Sequence, residues 1–213
     1  MENPLDTISF DGGWLCLDFT NTVSFRGPAA VGDEYLNTWE DFAVWVRRAS
    51  VLSAAEYEAW NRLPAGNIEE VRALREALWL LFDHLFRNGT LHPEHLDTLN
   101  GFLHEVYPHT RLCLTPDGLR RGLEDAPHPE KPLWLLALSA EALLLSDRLP
   151  RVKACDNCGW LFLDTSKNGA RRWCNMQTCG SQMKAKAYYH RKKGGTVDGR
   201  RWTVDGAFFV ENW

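Results

Sequence analysis

The chain has 213 residues, 24 Lys/Arg against 28 Asp/Glu, and a formal net charge of −4 at pH 7. Ten Trp and ten Phe give enough core material for one medium domain and a small one. The opening Met1-Glu-Asn-Pro-Leu-Asp-Thr has neither a basic nor an apolar leader region, and the longest apolar runs, around Leu78–Phe82 and Leu133–Leu138, are too short for a bilayer. Secretion and membrane insertion are therefore not expected, and the chain reads as cytoplasmic.

In chain order, Thr38-Trp-Glu-Asp41 reads as a cap before a helix running to Arg48, and Ser53-Ala-Ala-Glu56 as a capping box opening a short one. Asn67 with Glu70 starts the longest helix. Its apolar positions Val71, Leu74, Leu78, Leu81, Phe82 and Leu85 recur every three or four residues until Asn88-Gly89 stops it. Pro93 opens another helix through Leu96, Leu99, Phe102 and Val106. Leu112–Thr115 and Leu119–Leu123, joined by Pro-Asp-Gly118, predict a hairpin. A last body helix is expected from Leu133 to Leu149, apolar on nearly every side and so central, and Pro150 closes it. That break predicts a body able to fold without the C-terminal segment. Beyond it, a helix over 180–193 with Ser181 as its cap ends at Gly194-Gly195. The repeated Thr-Val-Asp-Gly of the tail fits a hairpin.

Four cysteines are the most informative residues: Cys155-x2-Cys158, then fifteen residues, then Cys174-x4-Cys179. Two close pairs joined by a short loop build one tetrahedral zinc site. Gly159 permits the tight knuckle turn after the first pair. The alternative, two disulfides, needs an oxidising compartment. Cys16 and Cys113 have no close partner and read as apolar residues. Four thiolates saturate the ion and leave no open position, so one structural zinc per chain is expected and a catalytic one is not.

Charge is unevenly distributed. Residues 1–150 are net −11, residues 151–193 net +8 and residues 194–213 net −1. A metal-stapled basic module on an acidic body points to a polyanionic partner, with docking on the chain's own acidic body as the alternative.

The segment Cys155-Asp-Asn-Cys158-Gly-Trp-Leu-Phe162-Leu-Asp164-Thr-Ser166-Lys-Asn168-Gly-Ala-Arg171-Arg172-Trp173-Cys174-Asn-Met176-Gln-Thr-Cys179-Gly180 closely resembles the CGNR-type zinc finger of bacterial proteins. Phe10-Asp-Gly12-Gly13-Trp-Leu15-Cys-Leu17-Asp18-Phe19-Thr-Asn21-Thr22 resembles the opening of the ABATE domain that usually precedes that finger. The resemblance implies a stress-linked transcription regulator: an N-terminal domain over 1–150 for sensing or dimerisation, a finger over 151–193, and a hairpin-like tail over 194–213. The name-giving C-G-N-R stands here as Cys179-Gly180-Ser181-Gln182. All four ligands remain, but Gln in place of Arg brings no charge and no guanidinium fork.

The expected fold is mainly α: a helical N-terminal domain with small hairpins and a C-terminal treble-clef-like zinc finger. DNA is the expected partner, gripped by Arg171, Arg172, Lys184, Lys186, Arg191, Lys192 and Lys193, with Gln182 or Arg reading base edges. A homodimer would add the specificity one small finger lacks. Asp164, Ser166 and Asn168 serve the loop between the pairs, and Trp160, Phe162 and Trp173 serve packing. Asp18 and Asn21 either line a pocket for a small-molecule effector or brace the fold, with bracing favoured. His92 and His95, three apart, could share a metal and are read by default as exposed helix histidines, alongside His84, His104 and His109. The rivals to DNA binding are a protein-interaction module and an RNA binder that stacks bases on Tyr188, Tyr189 and Trp202. No catalytic constellation is present in the acidic body, so an enzyme is not expected.

Overall fold

The computed structural model describes residues 3–27, 31–116 and 118–192. Lys193 and the tail expected as a hairpin lie outside the described residues, and the side chain of Arg191 is likewise not described. By compactness the chain divides into one unit over Met1–Cys174 and a second beginning at Asn175.

The first unit is built from helices whose ends are set locally. Asn3 caps α1 (Pro4–Thr7). Next comes α2 (Leu15–Thr20), which carries the N-terminal motif and buries Cys16, Leu17, Phe19 and Thr20. Thr38 and Asp41 form a reciprocal capping box on α3 (Trp39–Arg48), and Ser53 and Glu56 do the same on α4 (Ala54–Trp60). The longest helix, α5 (Ile68–Asn88), starts at its Asn67 cap and ends at Gly89, which takes the left-handed conformation at φ 66°. Pro93 sits in the first turn of α6 (Pro93–Val106). The expected hairpin forms from β1 (Thr110–Thr115) and β2 (Gly118–Leu123), antiparallel with Leu114 opposite Leu119.

The last body helix, α7 (Lys131–Leu144), differs from the expectation at both ends. It starts earlier, because Lys131 is buried and its ammonium binds Glu56 and the Glu124 carbonyl. It stops at Leu144, and Leu145 is 81% exposed. A 3₁₀ turn over Leu149–Arg151 then leads to β3 (Val152–Ala154) and β4 (Leu161–Leu163), which pair antiparallel.

At the centre, α5 packs against α2, α3, α6 and α7. The aromatic middle consists of Phe19, Phe42 and Trp45, with Phe42 and Trp45 stacked 8° from parallel. Packing continues across Pro150: β3 lies on α5 and β4 on α2, and Val152, Ala154, Leu161 and Leu163 belong to the same buried cluster as the body helices.

The second unit contains a π-helical turn over Met176–Gly180, followed by α8 (Ser181–Lys192). Ser181 is not a cap, as expected from sequence, but the first residue of α8. Its hydroxyl donates to the Met176 carbonyl, while Asn175 caps the turn by accepting from the Gln177 and Thr178 amides. The fold is thus mainly α with small antiparallel hairpins, and the order β3, knuckle, β4, α8 is treble-clef-like.

Candidate metal centre

The centre begins with the turn between β3 and β4. The Cys155 amide donates to Trp160 O at 2.8 Å, and the Gly159 amide donates to Cys155 O at 2.9 Å. Gly159 has φ 73°, and a Cβ there would lie 1.7 Å from the Arg26 carbonyl oxygen. Glycine is therefore required twice over, once by conformation and once by the close approach of a second strand of backbone.

That second backbone belongs to the N-terminal motif and the loop after it. The Arg26 amide donates to Cys158 O at 2.7 Å, and the Trp160 indole donates to Val23 O at 2.7 Å. Asn21, 1% exposed, uses both ends of its amide on Leu161: it donates to the carbonyl at 2.8 Å and accepts from the N–H at 2.9 Å. The Leu163 amide donates to Gly12 O at 2.8 Å. Arg26 itself is pinned by a bidentate pair to Glu76 on α5, at 2.5 and 2.9 Å.

Of the two residues expected either to line a pocket or to brace the fold, Asn21 is thus fully occupied by the knuckle. Asp18 accepts from the Gly12 amide at 2.7 Å. Burial pushes its carboxyl up to about 7, against that hydrogen bond and with some help from the charge of Asp11.

The loop from β4 to Cys174 is organised by one buried carboxylate. Asp164, with no exposed surface, accepts from Lys153 Nζ at 2.8 Å and from the Ser166 and Arg171 amides at 2.9 Å each. Burial opposes its ionisation, but these donors, Lys153 foremost, outweigh it and hold the carboxyl well below the usual range. Lys153 also donates to the carbonyls of Gly169 and Arg171.

Arg171 lies 4.8 Å over the Phe162 ring and donates to the carbonyls of Trp173 and Cys174. Its guanidinium therefore sets the backbone at the third cysteine. Arg172 pairs with Asp156 at 2.6 Å and stays half exposed.

Cys155, Cys158, Cys174 and Cys179 come together with all four sulfurs within 4.8 Å of one another. Cys158 and Cys174 sulfurs are 3.6 Å apart. Zinc–sulfur bonds of about 2.3 Å at tetrahedral angles put sulfurs about 3.8 Å apart, so this donor set fits one zinc ion. The spacing is also far beyond a disulfide bond. These ligands are the ones the sequence spacing selected.

Within the second unit, α8 presents Gln182, Lys184, Lys186 and Lys192 on exposed positions, with Tyr188 and Tyr189 64% and 57% exposed between them. Sequence reasoning missed the seat made for the knuckle by Gly12, Asn21, Val23 and Arg26. The one local signal was Asn21, a polar residue just after the short helix α2 that buries Cys16, Leu17 and Phe19.

Comparison with known families gives two matches. The CGNR zinc finger model matches residues 151–192. The ABATE model, described as "Putative stress-induced transcription regulator", matches residues 13–147. No curated protein matches the chain.

Proposed function

The chain belongs to the ABATE family and carries a CGNR zinc finger, and from that premise we propose that it is a DNA-binding transcription regulator whose basic C-terminal helix meets the phosphate backbone. The observation that carries this reading is the run of exposed cations on α8, Lys184, Lys186 and Lys192, in a segment of net charge +8. Lysine ammonium groups on an exposed helix bind phosphate as point charges and release its counterions. Arg172 adds a half-exposed guanidinium, and Gln182, exposed on the same segment, would be the residue to read a base edge. Arg191 and Lys193 extend the basic run in sequence. Arg171 serves the reading indirectly, by fixing the backbone at Cys174.

Bound zinc would supply no chemistry here beyond tying the four thiolates together, because no coordination position is left for water. The proposed role is a non-enzymatic one, supported by the regulator and zinc-finger families matched. A homodimer would double the DNA contact and set a half-site spacing. A small-molecule effector would need a site; the open cleft of about 300 Å³ lined by Phe82, Leu85, Phe86, Leu149, Pro150 and Val152 includes neither Asp18 nor Asn21. Among the described residues no helix is long and apolar enough to cross a membrane.

Salt titration on random duplex DNA tests the proposal. With roughly four to six phosphates contacted, log K should fall against log salt with a slope of about −4 to −5. Replacing Arg172, Lys184, Lys186 and Lys192 by Ala should flatten that slope. No binding at low salt, or affinity that ignores salt, overturns it in favour of a protein partner. Preference for single-stranded RNA over duplex DNA, lost on replacing Tyr188 and Tyr189, overturns it in favour of RNA.

A further inference from the structure

We propose that His84, His92 and His95 form a second metal site, for a divalent first-row transition ion such as zinc, at the turn between α5 and α6. The sequence offers only the pair His92 and His95 at spacing three. The fold adds His84 from the C-terminal part of α5. Ring centres are 4.6 Å apart for His84 and His92, 5.6 Å for His84 and His95, and 5.9 Å for His92 and His95. The three ring planes are inclined to one another by 48°, 45° and 46°.

That spacing is what a metal requires. An imidazole nitrogen binds zinc at about 2.0–2.1 Å, which puts the ring centre about 3.2 Å from the ion; tetrahedral angles then separate ring centres by about 5.3 Å. The three observed separations bracket this value. Among the described residues, only the four thiols already hold all their donor atoms within 4.8 Å of one another. Binding would require the imidazoles to turn about χ2, which exchanges the carbon and nitrogen edges of a ring and leaves its centre in place.

An independent sign comes from His84. Its Nδ1 is buried and has no hydrogen-bond partner among the described residues. A buried ring nitrogen without a partner is costly, and a metal ion is one way to satisfy it. Around the cluster the fields are mixed: His92 stands at the N-cap position of α6, whose partial positive charge opposes a cation. The Glu94 carboxylate lies 3.7 Å from His92 Nδ1, near it but beyond hydrogen-bond distance. The C-terminal end of α5 adds partial negative charge. Arg87, three residues beyond His84, is held by Asp83 at 2.8 Å. Three neutral imidazoles suit zinc, nickel or copper rather than magnesium or calcium, and they leave one position open for water or a further ligand. The site does not rest on the regulatory reading above.

The test is calorimetric titration of Zn²⁺ into the full chain already carrying one zinc, with metal counted after gel filtration. A second equivalent is expected, with a dissociation constant on the order of micromolar or below. His84→Ala, His92→Ala and His95→Ala should each weaken it by about tenfold or more. His104→Ala, an exposed histidine on the same helix, should leave it unchanged. Far-UV circular dichroism and retention of the first zinc show that each variant is folded. The proposal is overturned by a single zinc per chain at micromolar Zn²⁺, by a second equivalent that survives the three substitutions, or by one that His104→Ala weakens equally.

Discussion

Asn21 shows how one side chain couples two distant parts of the chain. Its amide reproduces a strand-like pair of hydrogen bonds with Leu161, 140 residues away, in a site without water access. Asn21→Ala should leave a buried carbonyl and N–H unpaired and cost about 2–4 kcal/mol in denaturant unfolding. Asn21→Ser, too short to span both groups, should recover little of this. Asp18, three residues earlier, makes a different prediction. Its folded carboxyl is raised to about 7, chiefly by burial. A raised value means that the native state holds the proton more tightly than the unfolded chain, so stability from this group is complete below about pH 4 and is lost as pH rises through about 7. Asp18→Asn keeps the acceptor for the Gly12 amide and removes the charge. The variant should match the parent at pH 4 and melt higher at pH 8, by about 1–2 kcal/mol after screening of a partly exposed group. Thermal melts at the two pH values decide it; a parent no less stable than the variant at pH 8 would show that the charge is well solvated.

In the proposed reading α8 carries the contact with DNA, and Gln182 is where that contact would be weakest. The name-giving motif has Arg at this position, and Gln cannot supply a charged fork to guanine or phosphate. Gln182→Arg should strengthen DNA binding by about 1–3 kcal/mol on a selected site if the new side chain makes a bidentate base contact. A phosphate contact would instead raise affinity on all sequences and steepen the salt slope by about one unit. Unchanged binding on both selected and random duplex would place residue 182 away from DNA. The loop before α8 has a separate task. Asp164, Lys153 and Arg171 spend their charges on loop backbone and on one another; Arg151 donates to the carbonyls of Asp164 and Ser166 and Arg172 pairs with Asp156, so at least four of the ten cations in residues 151–193 are already engaged. The charge on offer to a polyanion is therefore smaller than the sequence total.

At the level of the whole chain, the break at Pro150 ends a helix without ending the packing. Val152, Ala154, Leu161 and Leu163 are each at most 7% exposed and lie in the body's own core. Burying four such side chains contributes on the order of 5 kcal/mol, comparable to the total stability of an ordinary domain. A fragment over 1–150 should therefore melt far below one over 1–174, with exposed apolar surface detectable by dye binding. Equal melting of the two fragments would restore Pro150 as a folding boundary. Zinc removal should be felt in the body for the same reason, since the knuckle is bonded to Gly12, Asn21, Val23 and Arg26.

The amino-acid sequence by itself determined the features that local rules control. Capping boxes at Thr38 and Ser53 lie on the helix starts and Asn88-Gly89 on a helix end, because each satisfies backbone groups within four or five residues. The four ligands were legible for a related reason: metal geometry fixes the spacing inside each cysteine pair. What only the tertiary structure decided was everything set by partners far along the chain. The early start of α7 depends on Lys131 reaching Glu56. The duty of Arg171 depends on which carbonyls the loop turns toward it. The seating of the knuckle on the N-terminal motif depends on hydrogen bonds between residues more than 130 positions apart. Helical periodicity identifies the face of each helix that will be buried, but it carries no record of which surface will cover it.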